Sequence, residues 1–165
     1  MSSRRHILRL ASALALLALS ACSAAPPLSP TLQVVSELPV VDEKASVRSE
    51  LSAPVVMVHF LASWCGLCAF ELPHLGAMRR SIGADRVGVV LVALDDTPEA
   101  AAAFAKRSGA PFPLVIDESG ASKELFAVGD LPTTIVMTRD GAPVFLPDPK
   151  TGELSSRFVG AYEWD

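Results

Sequence analysis

Two cysteines, Cys65 and Cys68, have the spacing with the clearest chemical meaning in this chain of 165 residues. They follow the apolar run 55–62, which predicts a buried strand, and precede residues 69–72, which predict the first turns of a helix. Because one helical turn brings residues i and i+3 together, the pair can form a disulfide. Unpaired N–H groups and the helix dipole stabilise a thiolate at the first position. A thiolate beside a second thiol predicts disulfide exchange, with Cys65 attacking and Cys68 resolving.

A Cys-x-x-Cys pair can also be half of a zinc site, which needs two further ligands. The candidates are His59 and His74, since the chain has no second cysteine pair. A copper- or zinc-binding chaperone that uses the two cysteines and a histidine is therefore an alternative of a different class. Haem attachment is excluded, because Ala69 and not histidine follows the second cysteine. The leading interpretation involves no metal and no bound cofactor.

The first 21 residues predict an export signal. Arg4, Arg5 and Arg9 give it a positive start, and residues 10–21 form an apolar stretch rich in Ala and Leu. About twelve apolar residues are too few to cross a bilayer, which takes roughly 20. The stretch is therefore typical of a signal peptide and not of a transmembrane helix.

The sequence Leu19-Ser20-Ala21-Cys22 resembles the lipobox of bacterial lipoproteins. The resemblance implies that Cys22 is lipidated, becomes the first residue of the mature chain and anchors it in a membrane. Ser23 stands after it instead of Asp, which favours the outer membrane by resemblance to lipoproteins sorted on that residue. An ordinary cleaved signal, with no role for Cys22, is the alternative.

Charge and cysteine count narrow the function further. Residues 1–21 hold three of the 14 basic residues and no acidic residue, so the rest of the chain has 11 basic and 18 acidic residues, a formal charge of −7. Such an acidic chain lacks the excess of positive charge that nucleic-acid binding requires. Of the three cysteines, a lipidated Cys22 leaves only Cys65 and Cys68 for a disulfide. This count indicates a functional pair and not a structural bridge.

Composition and patterning predict a signal peptide at 1–21, a Pro-rich tether at 22–30 and one compact domain at 31–165. Residues 31–51 predict a small N-terminal hairpin. The other predicted strands are 55–62, 87–94, 114–117, 133–138, 142–146 and 157–159, and the predicted helices are 65–81, 98–107 and 119–127. Thr97 is the predicted cap of the helix at 98–107, with Pro98 at its first position. Alternating strands and helices predict an α/β three-layer sandwich with a central mixed β-sheet flanked by helices.

The order of these motifs resembles the thioredoxin superfamily: a strand, Trp64 and the two cysteines, a helix, a strand, a helix, and then Gly129-Asp130-Leu131-Pro132-Thr133-Thr134 before another strand. More closely, residues 31–165 resemble the TlpA/ResA-like branch of membrane-tethered thiol–disulfide oxidoreductases. The closing residues 160–165 are also similar to TlpA-type sequences. The resemblance implies a thioredoxin-like fold.

The resemblance implies catalytic roles for Cys65, Cys68, Glu71 and Pro132. A cis bond before Pro132 would turn the Leu131 backbone towards the dithiol, where it could pair with an extended client peptide. A partly buried Glu71 would have a raised pKa and could exchange protons with the resolving thiol. The alternative for Glu71 is a solvated position on the helix surface.

The residues expected to contact a client are Trp64, Gly66, Leu67, Leu131 and Thr133. Two positions depart from the family. Leu67 replaces a proline between the cysteines, so the family's redox potentials cannot be transferred. His59 stands six residues before Cys65, where thioredoxins keep a buried acid, and is either a proton-transfer group or a satisfied core residue.

The resemblance thus implies a periplasmic, lipid-anchored thiol–disulfide oxidoreductase that reduces disulfides in envelope client proteins, such as cytochrome c apoproteins or copper-site proteins. Its electrons would come from a membrane reductant partner and not from a bound cofactor. A thiol peroxidase is the alternative enzyme, although the Pro-x-x-x-Thr-x-x-Cys context usual for its peroxidatic cysteine is absent.

Overall fold

A computed structural model describes residues 27–42, 46–94, 97–109 and 111–164. The predicted signal peptide, Cys22 and residues 23–26 of the predicted tether lie outside the described residues. Within the described ranges, no helix combines the length and apolar character needed to cross a membrane.

A six-stranded mixed sheet forms the centre of the molecule. Its strands are β1 (Val40–Asp42), β2 (Val55–Leu61), β3 (Val87–Leu94), β4 (Leu114–Asp117), β5 (Thr133–Thr138) and β8 (Arg157–Val159). Their order in the sheet is β1–β4–β3–β2–β5–β8; β2, β3 and β4 are parallel neighbours, whereas β1, β5 and β8 pair antiparallel. Five of these six were predicted, and β3 is buried along its whole length, as its continuous apolar run indicates.

Helices cover both faces of this sheet, which confirms the predicted three-layer α/β architecture. They are α1 (Pro30–Glu37), α2 (Val47–Glu50), α3 (Gly66–Ile82), α4 (Pro98–Ser108) and α5 (Ala121–Leu125). The predicted cap of α4 is confirmed, since the Ala100 N–H donates to Thr97 Oγ1. Helix α3 continues through Pro73, as predicted.

The predicted N-terminal hairpin is wrong. Residues 30–37 form α1, because the Leu32 N–H donates to Ser29 Oγ and Pro30 occupies the first turn, where no backbone donor is needed. The apolar residues Leu32 and Val35 lie one turn apart and are buried against the sheet. Only β1 is extended, and it pairs with β4 at the edge of the sheet.

The predicted strand at 142–146 is also wrong over most of its length. It makes a single bridge to β5, between Met137 and Pro143, and the remaining edge of β5 pairs with the later segment that leads into β8. The chain instead forms a small two-stranded sheet of β6 (Leu146–Pro147) and β7 (Leu154–Ser155). The predicted strand at 157–159 is confirmed as β8.

The apolar side chains divide into two clusters, one on each face of the sheet. The α3-side core contains residues from β2, α3, α4 and β8, among them Met57, Leu61, Leu72, Phe104 and Phe158. The α1-side core contains Leu32, Val35, Val56, Val58 and Phe60, among others. Because successive strand residues point to opposite faces, β2 supplies alternate residues to the two cores.

An ion pair joins α2, α3 and β3 at the end of the sheet where β2 begins. Arg79 donates two hydrogen bonds to the Glu50 carboxylate, at 2.8 and 2.9 Å, and its Nε donates to the Val87 carbonyl. The Val89 N–H donates to Glu50 as well. The backbone of α2 therefore lies against β3, and Gly88 is the residue that permits this approach.

We expect Gly88→Ala to destabilise the protein strongly, by about 3 kcal/mol or more, because overpacking against rigid backbone cannot be relieved by a side-chain shift. A Cβ at this position would lie 1.9 Å from the Glu50 carbonyl oxygen. Gly129→Ala is the matched control, since no heavy atom lies within 4 Å of its added Cβ. Urea unfolding measures both variants, and equal stability of the two would contradict this packing.

Candidate active site

The two cysteines lie where β2 leads into α3. Cys65 is the N-cap of α3, and its Sγ accepts a hydrogen bond from the Cys68 N–H at 3.2 Å. The two residues form a disulfide, with Cα atoms 5.3 Å apart. When the bond is reduced, the same N–H and the helix dipole stabilise a thiolate on Cys65.

The two sulfurs differ in access to solvent. The Cys65 residue keeps 8% of its surface exposed, whereas Cys68 is fully buried. Three apolar residues close to Cys65 in the chain are exposed: Trp64, Leu67 and Phe70 keep 66%, 59% and 52% of their surface accessible. An incoming disulfide can therefore reach Cys65 first.

The Leu131–Pro132 segment lies at the same end of the sheet as the dithiol. Its peptide bond is cis, as the family resemblance implied. The register pairs Phe60 with Thr133, so Pro132 lies level with Leu61, four residues before Cys65. Pro132 is buried and Leu131 is half-buried.

Of the other residues expected to contact a client, Gly66 is exposed, with open space where a side chain would be. Thr133 differs from that expectation, since it is only 1% exposed and its hydroxyl donates to the Asp130 carbonyl at 2.7 Å. Its side chain therefore holds the loop that precedes β5 and does not face the surface.

Glu71 is fully buried, one helical turn after Cys68, and not on the solvated helix surface that was its alternative. The Trp164 indole N–H donates to Glu71 Oε1 at 2.5 Å. Burial raises the pKa of Glu71 to about 7, while the Trp164 hydrogen bond, the Tyr162 backbone and the charge of Lys150 lower it by smaller amounts. The carboxyl can therefore gain or lose a proton near neutral pH.

An aromatic cluster from the C-terminal segment encloses Glu71. The rings of Phe158, Tyr162 and Trp164 have centroids 5.1 to 5.5 Å apart. Lys150 Nζ lies 3.9 Å from the centre of the Tyr162 ring, and the Tyr162 hydroxyl donates to Asp148. Sequence reasoning missed these contacts. The available signal was that a buried indole N–H needs an acceptor.

His59 is fully buried on the α3 side of β2. Its Nδ1 lies 2.9 Å from Thr134 Oγ1, whereas its Nε2 has no hydrogen-bond partner among the described residues. Burial lowers the pKa of His59 to about 3, so the ring is neutral at physiological pH.

The other histidine, His74, is half-buried with its ring against Phe70. Within the described ranges, no three side chains of His, Cys, Asp or Glu form a group that could hold a metal ion.

Comparison with known proteins places residues 35–142 in the AhpC/TSA family. The thiol–disulfide oxidoreductase ResA of Oceanobacillus iheyensis is 29% identical over 113 residues, which cover 68% of this chain and 59% of that protein. ResA of Bacillus subtilis is 28% identical over 114 residues, covering 69% of this chain and 62% of that protein. The chain thus matches about three fifths of the length of these relatives.

Solved structures share the fold. A Chlorobium tepidum protein assigned by name as the thiol:disulfide interchange protein DsbE superposes with a TM-score of 0.58 and 28% identity, over 76% of this chain and 80% of that one. StoA from Bacillus subtilis superposes with a TM-score of 0.52 and 23% identity, over 67% and 76%. Since the family match extends over more than half of its length and its sheet carries the dithiol at the start of α3, this chain belongs to the AhpC/TSA family and has the thioredoxin-superfamily fold.

Proposed function

We propose that the chain is a thiol–disulfide oxidoreductase that reduces disulfides in client proteins of the bacterial envelope. The observation that carries this proposal is the Cys65–Cys68 disulfide at the N-terminus of α3, in which Cys65 keeps 8% exposure and Cys68 is fully buried. The relatives named thiol–disulfide oxidoreductase ResA support the same reaction class.

In the proposed reaction the Cys65 thiolate attacks one sulfur of a client disulfide. The client's S–S bond breaks, a mixed disulfide forms and one client thiolate leaves. Cys68 then loses its proton to Glu71 and attacks the Cys65 sulfur, which releases the second client thiolate. The client gains two electrons, and the protein is left with the Cys65–Cys68 disulfide. Two electrons and two protons from a reductant partner restore the dithiol.

The surroundings of Cys65 suit an extended protein segment. The exposed rings of Trp64 and Phe70 and the side chain of Leu67 can contact apolar client residues beside the reacting cysteine. Leu131 is half-buried next to this surface, where its backbone can pair with the client by strand addition. Leu67 occupies the position where the family resemblance expects a proline.

We further propose that the protein is anchored by lipid at Cys22 on the periplasmic side of an envelope membrane, with the outer membrane favoured by Ser23. The Ser29 N–H donates to the Arg139 carbonyl, and the Arg139 N–H donates to the Pro54 carbonyl. The chain from Cys22 therefore joins the domain where β2 begins, about 20 Å from the end that leads to the dithiol.

The short segment between the predicted anchor and the domain limits how far the domain can lie from the membrane. The seven residues from Cys22 to Ser29 can span at most about 25 Å. An anchored domain would therefore stay near the membrane. There, both clients in the aqueous space and a membrane reductant partner could reach Cys65.

We expect Cys68→Ala to accumulate mixed disulfides on Cys65, because nothing remains to release a captured client. Expression in an oxidised envelope, followed by acid quenching and nonreducing electrophoresis, detects these adducts, and mass spectrometry identifies the clients. Cys65→Ala is the matched control and should form none. An empty Cys68→Ala trap would contradict the proposed reaction.

We expect Cys22→Ser to abolish the incorporation of a labelled fatty acid into the protein, because Cys22 is the residue to which the lipobox resemblance assigns the lipid. Metabolic labelling with a palmitate analogue measures the change, and the Cys68→Ala protein is the control that should keep the label. Labelling of both proteins, or of neither, would overturn the proposed anchor.

The two alternatives are tested on the same purified protein. A thiol peroxidase would turn over peroxide, whereas we expect reduction of a protein disulfide without peroxide turnover. A copper or zinc chaperone would hold a stoichiometric ion that blocks alkylation of the cysteines. We expect rapid alkylation of Cys65 after reduction, with no such ion bound.

We expect the stability of the disulfide form to fall as pH rises from about 5 to 8, and Glu71→Gln to remove this dependence. Because burial raises the pKa of Glu71 from 4.5 to about 7, the folded protein binds the proton more tightly than the unfolded chain over this range. The stabilisation is present below the unfolded pKa and is lost as pH rises through the folded value, with a span of about 3 kcal/mol.

Urea unfolding across this pH range measures the effect as the difference between the wild type and Glu71→Gln. The exposed Glu163 is the matched control, and Glu163→Gln should follow the wild type. Parallel stability curves for the wild type and Glu71→Gln would show that Glu71 titrates as an ordinary carboxylate.

A further inference from the structure

A cavity of about 250 Å³ lies on the α1 side of the sheet, near the end where β2 begins. Residues of α1, α2 and the chain next to them line it, together with the residue that follows β5: Leu28, Ser36, Arg48, Leu51 and Arg139. Two of these five residues are arginines, and none is acidic. The Ser36 hydroxyl donates to the Gln33 carbonyl, so the side-chain donors left in the lining are those of the two guanidinium groups.

These two guanidinium groups form no ion pair in the described part of the chain. Arg139 Nε is buried and makes no hydrogen bond there. Glu50, at the same end of the sheet, is bound by Arg79 instead. Asp140, the neighbour of Arg139, accepts a hydrogen bond from the Thr138 hydroxyl. Because buried donors are nearly always hydrogen-bonded, this cavity offers donors that an anion can use.

Basic residues concentrate at this end of the molecule. Helices α3 and α4 connect parallel strands, so their last turns lie at the end where those strands begin. Each of these last turns holds two basic residues, and another one directly precedes β3. Seven of the 11 basic residues that follow residue 21 therefore lie at this end: Arg48, Arg79, Arg80, Arg86, Lys106, Arg107 and Arg139.

The end that carries the dithiol has the opposite charge. Strand β4 ends there and β5 begins there, because Leu94 pairs with Asp117 and Phe60 pairs with Thr133. The connection between these two strands, residues 117–132, holds four acidic residues and one basic residue. The molecule is therefore polarised along its strands, with the positive end around the cavity, although the chain after residue 21 is acidic as a whole.

The chain from the proposed lipid anchor enters the domain beside the same cavity. The Ser29 N–H donates to the Arg139 carbonyl, and Leu28, one residue earlier, lines the cavity. Leu28 follows Cys22 by six residues, which span at most about 22 Å. The headgroups of a membrane that holds Cys22 are therefore within reach of this end of the domain.

We propose that Arg48 and Arg139 bind the phosphate group of an anionic phospholipid, so that the end of the domain where β2 begins faces the membrane. A guanidinium group donates two parallel hydrogen bonds to phosphate oxygens, and Leu28 and Leu51 can contact the carbon atoms next to the phosphate. The other basic residues of this end attract the anionic surface. A soluble phosphate compound has the same chemistry, but the charge polarity and the position of the anchor favour the lipid.

This interaction goes beyond the disulfide reaction and does not depend on it. The short segment after Cys22 permits several orientations of the domain, and the charge selects one of them. In this orientation the dithiol lies at the other end of β2, about 20 Å farther from the lipid, where clients in the aqueous space can reach Cys65.

The test uses the chain from residue 22 onward with Cys22→Ser, which attaches no lipid and keeps all the described residues. Cosedimentation measures its binding to vesicles of phosphatidylcholine alone and to vesicles with about one third phosphatidylglycerol. We expect binding only to the vesicles that contain phosphatidylglycerol, and weaker binding as the salt concentration rises. Equal binding to both kinds of vesicle, or binding to neither, would overturn the proposal.

Exchanges of arginine for lysine separate a phosphate site from diffuse attraction, because they keep the charge and remove the planar pair of donors. We expect the double variant Arg48→Lys with Arg139→Lys to bind the anionic vesicles about tenfold more weakly. Arg107→Lys, at the same end but outside the cavity, is the matched control and should bind like the parent. Unchanged binding by the double variant, or an equal loss in Arg107→Lys, would overturn the site. If the double variant does not fold, Arg48→Lys, at an exposed position, replaces it.

Two further measurements test the source of the phosphate and the orientation. Binding of glycerol 3-phosphate in solution, with no binding to anionic vesicles, would assign the cavity to a soluble compound and overturn the membrane assignment. Alkylation of reduced Cys65 should be equally fast with and without anionic vesicles, whereas strong protection by the vesicles would overturn the orientation. Vesicle binding involves no thiol chemistry, so its absence and an empty client trap are separate failures.

Discussion

The hydrogen bond from the Cys68 N–H to the Cys65 sulfur is the interaction on which the rest of the site depends. It exists because β2 ends at Leu61 and α3 begins at Gly66, so Cys65 falls at the one position where a helix offers free donors to a side chain. Strands β3 and β5 hold β2 on both sides, and the ion pair of Glu50 with Arg79 ties α3 to the sheet. The scaffold thereby leaves Cys65 slightly exposed and encloses Cys68 fully.

The burial of Cys68 explains why this site also contains buried polar groups. A buried thiol cannot exchange its proton with bulk water, and Glu71 is the buried carboxyl one turn away on the same helix. The acid is held by Trp164, which lies 93 residues later in the chain. His59 is a neutral ring that is buried on the side of β2 that faces the α3-side core. Burial of these polar groups lowers the stability of the folded protein, and it serves the chemistry of the dithiol.

The dithiol, most of the sheet and α3 could be predicted because their signals are local. A continuous apolar run followed by Cys-x-x-Cys, and a threonine cap before Pro98, need only a few neighbouring residues. The N-terminal hairpin was wrong because Ser29 and Pro30 were assigned to a Pro-rich tether, although the same two residues start a helix. The strand at 142–146 was wrong because a later segment, which leads into β8, pairs with most of the edge of β5 that this strand would need. The contact between Trp164 and Glu71 has no local signal, since it depends on how β8 and the C-terminal segment return over α3.

The central claim is that the two sulfurs differ because Cys65 caps a helix and keeps some exposure, whereas Cys68 is fully buried. Its most direct test is the pH dependence of alkylation of each cysteine in the reduced protein, resolved by mass spectrometry of the two peptides. The account predicts a midpoint for Cys65 well below the ordinary thiol value of about 8.5, and much slower alkylation of Cys68 at every pH. Equal rates with both midpoints near that ordinary value, or faster alkylation of Cys68, would contradict it.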